Sequence, residues 1–255
     1  MTAPEATLIQ ALIALADEAG AAIMALYGKV EARHKDDRSP VTAADEAAEA
    51  VILAGLRRLT PDIPVLAEEE ASRGDAPDSM GSRFWLVDPL DGTKEFLSRN
   101  GEFTVNIALI ENAVPTLGVV GAPAKGVLYA TDGRTAWRRR DGGTDEAIAA
   151  RVPPAEGLTV AVSRSHRDAA TDDFLKTVKV AGEAVGGSSL KFCLVAEGAA
   201  DCYPRFGRTM EWDTAAGHAV LRAAGGSVRT LKGEELAYGK AGRDNPSFIA
   251  RGRDA

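Results

Sequence analysis

The chain is poor in cysteine, has no excess of positive charge and lacks a long uninterrupted apolar run, and each scarcity removes a class of protein. Cys193 and Cys202 are the only two cysteines in 255 residues, too few for a disulfide framework and without the paired spacing of a zinc site. Cys193 reads as a small apolar side chain in a helix, with a reactive thiol as the lesser reading. A net charge of -7 and a pI near 5.2 argue against a polynucleotide partner, whose phosphates would be repelled at long range. A small anionic substrate stays open if a metal ion or local Lys and Arg residues supply positive charge. No apolar run approaches ~18 residues and no basic segment precedes an apolar one at the amino terminus. The expectation is a cytoplasmic protein without stable membrane insertion. The basic triplet Arg138 to Arg140 reads as solvated surface, and peripheral contact with a membrane is its weaker alternative.

What is present is ordinary globular composition, 45% hydrophobic and 26% charged, with no internal repeat. The length allows a full core, as one large domain or two closely packed halves. We place the division at 1–150 and 151–255.

The most informative stretch is Phe84-Trp85-Leu86-Val87-Asp88-Pro89-Leu90-Asp91-Gly92-Thr93. Four apolar residues read as a buried strand. Pro89 fixes its own φ and Gly92 admits a backbone angle other residues avoid, so a sharp bend is expected there. Asp88 and Asp91 then sit at the carboxyl end of a strand with the Leu90 carbonyl between them. Pro-x-Asp-Gly is also common turn chemistry, so this segment alone is equally a surface turn. Two further acidic clusters, Glu68-Glu69-Glu70 and Glu211-Trp212-Asp213, also lie at the ends of apolar segments. Carboxylates from three distant places can therefore meet, and hard oxygen ligands of this kind suit Mg²⁺ or Mn²⁺ and not zinc.

Along the chain, an amphipathic helix is expected from Ala6 to Tyr27, ended by Gly28. The charged stretch Glu31 to Pro40 contains Lys35, which reads as a solvated loop residue or as one that reaches a phosphate. A second helix begins at Thr42, where Asp45 has capping-box spacing; the functional alternative is that Asp45 orients a reacting hydroxyl or water. Val65-Leu66-Ala67 is a short strand, and Phe103 to Trp137 a meander of mostly antiparallel strands. Asp141 to Gly157 is a polar linker. The second half opens with a strand at Leu158 to Val162 and then Ser163-Arg164-Ser165-His166. A helix follows from Asp168 to Val178, and Gly186-Gly187-Ser188-Ser189-Leu190-Lys191 opens another, whose free N–H groups suit an anion. After a strand at Asp201-Cys202-Tyr203 and a turn at Pro204 to Gly207, a long Ala-rich helix starts at Trp212, with Asp213 as its N-cap.

Glu68-Glu69, Asp88-Pro89-Leu90-Asp91-Gly92-Thr93 and Trp212-Asp213-Thr214-Ala215-Ala216-Gly217, in this order, resemble the inositol monophosphatase superfamily of Mg²⁺-dependent, lithium-sensitive phosphatases. The resemblance runs from about Lys35 to Phe248. Within that superfamily the chain looks most like the CysQ-type 3′(2′),5′-bisphosphate nucleotidases. Ser39-Pro40-Val41-Thr42-Ala43-Ala44-Asp45, Lys94-Glu95-Phe96, Asn100-Gly101-Glu102-Phe103-Thr104-Val105-Asn106, Ser163-Arg164-Ser165-His166, Gly187 to Cys193 and Tyr203-Pro204-Arg205-Phe206-Gly207 carry that likeness. Gly121 departs from it, because these nucleotidases often have a larger residue there.

The resemblance implies an α+β fold with αβαβα layering and a site between the two halves. It implies that Glu68, Asp88, Asp91, Asp213 and the Leu90 carbonyl hold two or three Mg²⁺ ions, with Mn²⁺ able to substitute and Li⁺ inhibitory. Thr93 and Asp45 would position and deprotonate the attacking water, with Gly92 and Thr93 contacting the phosphate. His166, Ser188, Lys191 and Arg205 would select the nucleotide, with Lys35 and Asp213 also reaching substrate. The implied reaction removes the 3′-phosphate of adenosine 3′,5′-bisphosphate, in sulfur assimilation or nucleotide recycling, by a monomer or homodimer. The alternative is a phosphatase of inositol or other sugar phosphates. A non-catalytic nucleotide sensor is disfavoured, because every acidic position, Thr93 and Asp45 are intact.

Overall fold

The apolar periodicity near the amino terminus folds as α1 (Ala3–Leu26), whose buried stripe is Ile9, Leu12, Ala16, Ala19 and Ile23. The computed structural model of the chain describes residues 3–34, 40–77, 80–164 and 167–254. This helix is more apolar than a search for unbroken runs suggests: Thr7–Leu26 has a mean hydropathy of 1.6 and by length and composition alone could cross a bilayer. In the fold its stripe is instead covered by protein. A two-residue antiparallel pair, β1 (Arg33–His34) with β2 (Pro40–Val41), leads to α2 (Ala43–Leu59), and α1 and α2 pack on each other through Leu15, Ile52 and Leu56.

The two helices cover one face of a seven-stranded sheet. In chain order come β3 (Val65–Ala67), the short α3 (Glu68–Arg73), β4 (Arg83–Asp91), α4 (Thr93–Leu97), β5 (Thr104–Glu111), β6 (Val114–Ala122), β7 (Val127–Thr131), β8 (Ala136–Arg140) and β9 (Glu146–Ile148). The strands lie side by side in that order, with β3 and β4 parallel and every later pair antiparallel. Period-two alternation divides the side chains: Trp85, Val87, Ile107, Leu109 and Val119 face α1 and α2, while Leu86, Ala108 and Val120 face the opposite side.

Two readings of this half change. β9 falls in the stretch expected to be linker, and its Glu146 lies opposite Arg138, with a 2.6 Å ion pair. Arg138 also meets Glu197 at 2.7 Å, and Arg139 meets Asp145 at 2.8 Å. The basic triplet is therefore largely matched by carboxylates, and the cross-strand Arg138–Glu146 pair adds to the backbone pairing of β9 with β8.

The second half builds a five-stranded sheet in the order β11-β10-β12-β14-β13. Its elements are β10 (Leu158–Ser163), α5 (Ala169–Thr177), β11 (Val180–Gly186), α6 (Leu190–Ala196), β12 (Cys202–Arg205), α7 (Glu211–Ala223), β13 (Ser227–Thr230) and β14 (Phe248–Arg251). β11 has no clear apolar signature because it is an edge strand, parallel to β10 and exposed at Val180 and Val185. Pro204 lies within β12 and not in a turn. Helices α6 and α7 are sandwiched between the two sheets, and α5 packs on the outer face of the second through Phe174 and Leu175 against Val160, Val162 and Cys202. The layering is αβαβα. Close approach fixes the middle layer: a Cβ on Gly118 of β6 would stand 2.7 Å from the Ala216 carbonyl oxygen and 2.8 Å from the Ala219 Cβ of α7.

Candidate active site

The carboxyl end of β4 meets the starts of three helices, α3, α4 and α7, and the acidic residues sit at that junction. β4 does not stop at Pro89. Pairing with β5 is regular to Asp88↔Asn106, becomes irregular across Pro89 and Leu90, and resumes at Asp91↔Thr104. The irregularity absorbs the missing proline N–H and seats the Leu90 side chain in the core beneath α1 and α2. The Leu90 N–H donates to Asp88 Oδ1 at 3.1 Å. Gly92 follows with φ 93°, where a Cβ would collide with the Ser188 hydroxyl, so the tight passage from β4 into α4 requires glycine.

Asp45 and Thr93 come together as a pair. Thr93 Oγ1 donates to Asp45 Oδ1 at 3.2 Å, while Asp45 Oδ2 accepts from the Thr42 N–H at 2.8 Å and the Thr42 hydroxyl at 2.7 Å. The capping and functional readings of Asp45 are thus compatible, one oxygen serving each. Burial raises its pKa, with the Glu68 charge adding to the effect and the Thr42 hydrogen bonds opposing it, so this carboxylate accepts a proton more readily than a solvated one.

Asp213 is not an N-cap. Helix α7 begins at Glu211, and Asp213 stands in the third helical position, where Oδ2 accepts from the Met210 N–H at 2.8 Å. Met210 has no side-chain oxygen to offer, so Asp213 supplies the side-chain half of a capping box alone. Among the three glutamates, Glu69 is the most buried, and its N–H donates to Glu49 Oε2 at 2.8 Å; Glu68 is half-buried and faces the cavity.

A cavity of about 230 Å³ opens over this junction. Glu68, Asp91, Gly92, Thr93 and Glu95 line it from the first half, and Ser163, Ser188, Lys191, Tyr203, Arg205 and Asp213 from the second. Asp88 is buried just behind it. Its pKa is raised well above the usual carboxylate range by burial first and then by the charges of Glu68, Asp91, Asp213 and Asp45. Asp213 is raised for the same reasons, with Asp91 and Glu68 the largest charges. Asp91 is pushed up to about 6 by burial, against the pull of Lys191. Lys191 in turn is pushed down to about 8 by burial, partly offset by Asp91; its Nζ donates to the Ser188 carbonyl at 2.7 Å and lies 5.2 Å from the Tyr203 ring centre. Ser188, at φ 50°, ties the halves together by donating its hydroxyl to the Asp91 and Glu102 carbonyls at 2.8 and 2.9 Å.

The sequence-predicted residues Asp45, Glu68, Asp88, Leu90, Asp91, Gly92, Thr93, Ser188, Lys191, Arg205 and Asp213 therefore gather at one junction. Lys35 and His166 lie outside the described residues. Glu95, Ser163, Tyr203 and Thr209 also line the cavity, although the sequence assigns none of them a site role. Glu95 had a signal, since it stands two residues beyond Thr93, but a five-residue helix has too little periodicity to show that it turns inward.

Among the described residues no three acidic, His or Cys side chains already surround a common point closely enough to hold an ion. The donor set nevertheless fits one. Buried carboxylates that raise one another's pKa form a concentrated negative field that a hard divalent cation would relieve, and all the donors are oxygens.

An αβαβα fold with an acidic cavity between its sheets, a Thr–Asp pair on one side and cationic residues on the other defines a class of phosphate-ester hydrolases. The chain belongs to the inositol monophosphatase family, whose model matches residues 5–249. Phosphatases of this family are generally metal-dependent. The chain is 50% identical over 234 residues to the 3′(2′),5′-bisphosphate nucleotidase CysQ of Salmonella typhimurium, covering 91% of this chain and 94% of the relative. It is 51% identical over 227 residues to CysQ of Escherichia coli, covering 88% and 91%. Among solved structures, CysQ from Bacteroides thetaiotaomicron superposes with a TM-score of 0.81 at 40% identity over 98% of both chains. An inositol monophosphatase from Anabaena superposes at 0.76 with 28% identity, covering 97% of this chain and 91% of that one.

Proposed function

We propose that this chain is a 3′(2′),5′-bisphosphate nucleotidase that hydrolyses the 3′-phosphate of adenosine 3′,5′-bisphosphate to AMP and phosphate, with Mg²⁺ as its cofactor. The observation that carries the reading is the Thr93–Asp45 hydrogen bond at the edge of a cavity holding carboxylates from one half and Lys191 and Arg205 from the other. Identity of about half to named CysQ proteins over nearly the full chain supports the substrate.

The residues have separable tasks. Glu68, Asp88, Asp91, Asp213 and the Leu90 carbonyl would hold the divalent ions. Bound there, the ions supply neutralisation of the phosphate, a lower pKa for water and stabilisation of the leaving oxygen. Metal assistance is needed because phosphate monoesters hydrolyse extremely slowly, with enzymatic accelerations up to ~10²¹, whereas a general base contributes ~10²–10⁴. Thr93 donates its hydroxyl proton to Asp45, leaving its oxygen lone pairs to accept a proton from an attacking water. A proton can then pass from water to Thr93 Oγ1 and from Thr93 to Asp45 Oδ1, whose raised pKa suits it to receive one. The α4 start at Gly92 and Thr93 faces the phosphate.

Residues 1–150 supply most of the acids, and residues 151–255 the groups that select substrate. Arg205 lines the cavity beside Lys191 and donates through its Nη2 to the Arg208 carbonyl at 3.2 Å, leaving the rest of its guanidinium for the 5′-phosphate. His166 would meet the nucleoside. Cys193 and Cys202 are free and buried, which suits the reducing cytoplasm.

The test is phosphate release from adenosine 3′,5′-bisphosphate and from inositol 1-phosphate in parallel, with Mg²⁺, with EDTA and with added Li⁺. Mg²⁺-dependent preference for the nucleotide, abolished by EDTA, is expected. Preference for inositol phosphate would keep the acidic site and discard the roles given to Lys191 and Arg205.

A further inference from the structure

Strand β5 carries two polar side chains in the middle of an apolar layer. Asn106 is 1% exposed, and among the described residues neither atom of its amide group has a protein hydrogen-bond partner; fully buried Thr104 leaves its hydroxyl likewise unpartnered. The β4–β5 register sets Asn106 opposite Asp88 and Thr104 opposite Asp91. Residues directly opposite on neighbouring strands project to the same face. On this sheet that face also carries Leu86, Ala108 and Val120 and is covered by α6 and α7. Both side chains therefore lie in the layer beneath the carboxylates, next to the start of the helix that brings Asp213.

Packing does not explain them. A buried amide without a partner costs stability that an apolar residue of the same shape would not, and leucine has nearly the shape of asparagine. Asn106 can donate to a carboxylate and accept from a water, and the Thr104 hydroxyl can do both.

We propose that Asn106 and Thr104 are positioning residues that form a polar floor under the metal site. They hydrogen-bond Asp88 and Asp91 once those carboxylates close on divalent cations, and hold them in place. The inference rests on the metal reading made above. Partners one step removed from a metal ligand typically contribute ~10–100-fold to affinity.

The experiment is titration of the metal-free full chain with Mn²⁺, followed by electron paramagnetic resonance, for the wild type, Asn106→Leu, Thr104→Val and Thr104→Ser. Affinity is expected to fall ~10–100-fold in Asn106→Leu and about tenfold in Thr104→Val, and to stay within about twofold in Thr104→Ser, which keeps the hydroxyl. Thermal melting of metal-free Asn106→Leu is expected to match or exceed that of the wild type, because the unpaired amide is gone. Wild-type affinity in both apolar variants would overturn the floor while leaving the metal site standing. Absence of Mn²⁺ binding by the wild type would overturn the metal reading and the floor with it. If Asn106→Leu does not fold, the contrast between Thr104→Val and Thr104→Ser decides by the same titration.

Discussion

Helix α7 carries two buried polar clusters made from the same kinds of side chain, arranged in opposite ways. At its front, Asp213 faces Asp88, Asp91 and Glu68, and these like charges raise one another's pKa with Lys191 as the nearby countercharge. At its back, Glu211 is fully buried and matched: Oε1 accepts from the Lys240 N–H at 2.9 Å and the Lys240 ammonium at 2.7 Å, and Arg243 stands 3.8 Å from Oε2. Two turns further, His218 Nδ1 and the Tyr238 hydroxyl are 3.0 Å apart, and that hydroxyl is 3.2 Å from Thr214 Oγ1. Glu211 Oε2 has no hydrogen-bond partner among the described residues but lies beside the Arg243 cation, so the rear cluster settles most of its polarity within the protein. The front cluster does not, and a fold that has solved the problem two residues away has no structural need for the excess charge. Repulsion among buried carboxylates opposes folding, so their retention points to chemistry.

The sharpest way to break this contrast is Asp213→Asn. The amide oxygen can still accept from the Met210 N–H, and loss of one like charge relieves its neighbours. Metal-free stability should therefore stay within about 1 kcal/mol of wild type, while phosphate release should fall by more than the ~10–100-fold typical of an outer-shell partner. Thermal melts in EDTA beside steady-state assays in Mg²⁺ read both quantities. Retained turnover would reduce Asp213 to a helix-start residue and dissolve the distinction between the clusters.

Glu211→Ala tests the other side. It strips Lys240 and Arg243 of their buried partner; because both cations keep contact with solvent, the expected cost is about 1–3 kcal/mol. Urea denaturation should show that loss. A change below about 1 kcal/mol would mean that the rear cluster is as poorly compensated as the front one.

The two clusters were also unequally legible. The front one is dense in the sequence because metal chemistry demands carboxylates at fixed places: Asp88, Asp91 and Asp213 stand out even before they converge. The rear one draws Glu211, Lys240 and Arg243 from separated segments, each of which reads singly as surface charge, so only the fold reveals them as a unit. The same logic divides the secondary structure. Strands β4 and β5 are apolar on both faces because both are covered, and they are visible as runs. Edge strands β9 and β11 are partly exposed and held by neighbours, so their residues carry no pattern. Asn106 stands within a recognisable motif, but its lack of a partner among the described residues is a property of packing and not of sequence. The capping roles of Asp45 and Asp213 show the converse limit, since spacing identified the helix starts but placed Asp213 one role away from the position it occupies.

The clusters should finally differ in the sign of their response to acid. Burial pushes His218 down to about 3, so the folded protein keeps it neutral while the unfolded chain takes up a proton below ~6.5. The unfolded state then binds more protons. The contribution of His218 to stability is complete above ~6.5 and is lost as pH falls toward 3, a loss of about 2 kcal/mol by pH 5. Asp91 runs the other way. Raised to about 6, it holds a proton in the folded state that the unfolded chain releases above ~4, so its contribution is present at low pH and lost as pH rises through about 6. Metal-free wild type therefore carries opposing slopes, and His218→Gln removes one of them. Between pH 7 and pH 5, wild type should lose about 2 kcal/mol relative to His218→Gln in matched urea melts. Parallel pH dependences for the two proteins would show that His218 is not held neutral, and that the rear cluster is less closed to solvent than its hydrogen bonds imply.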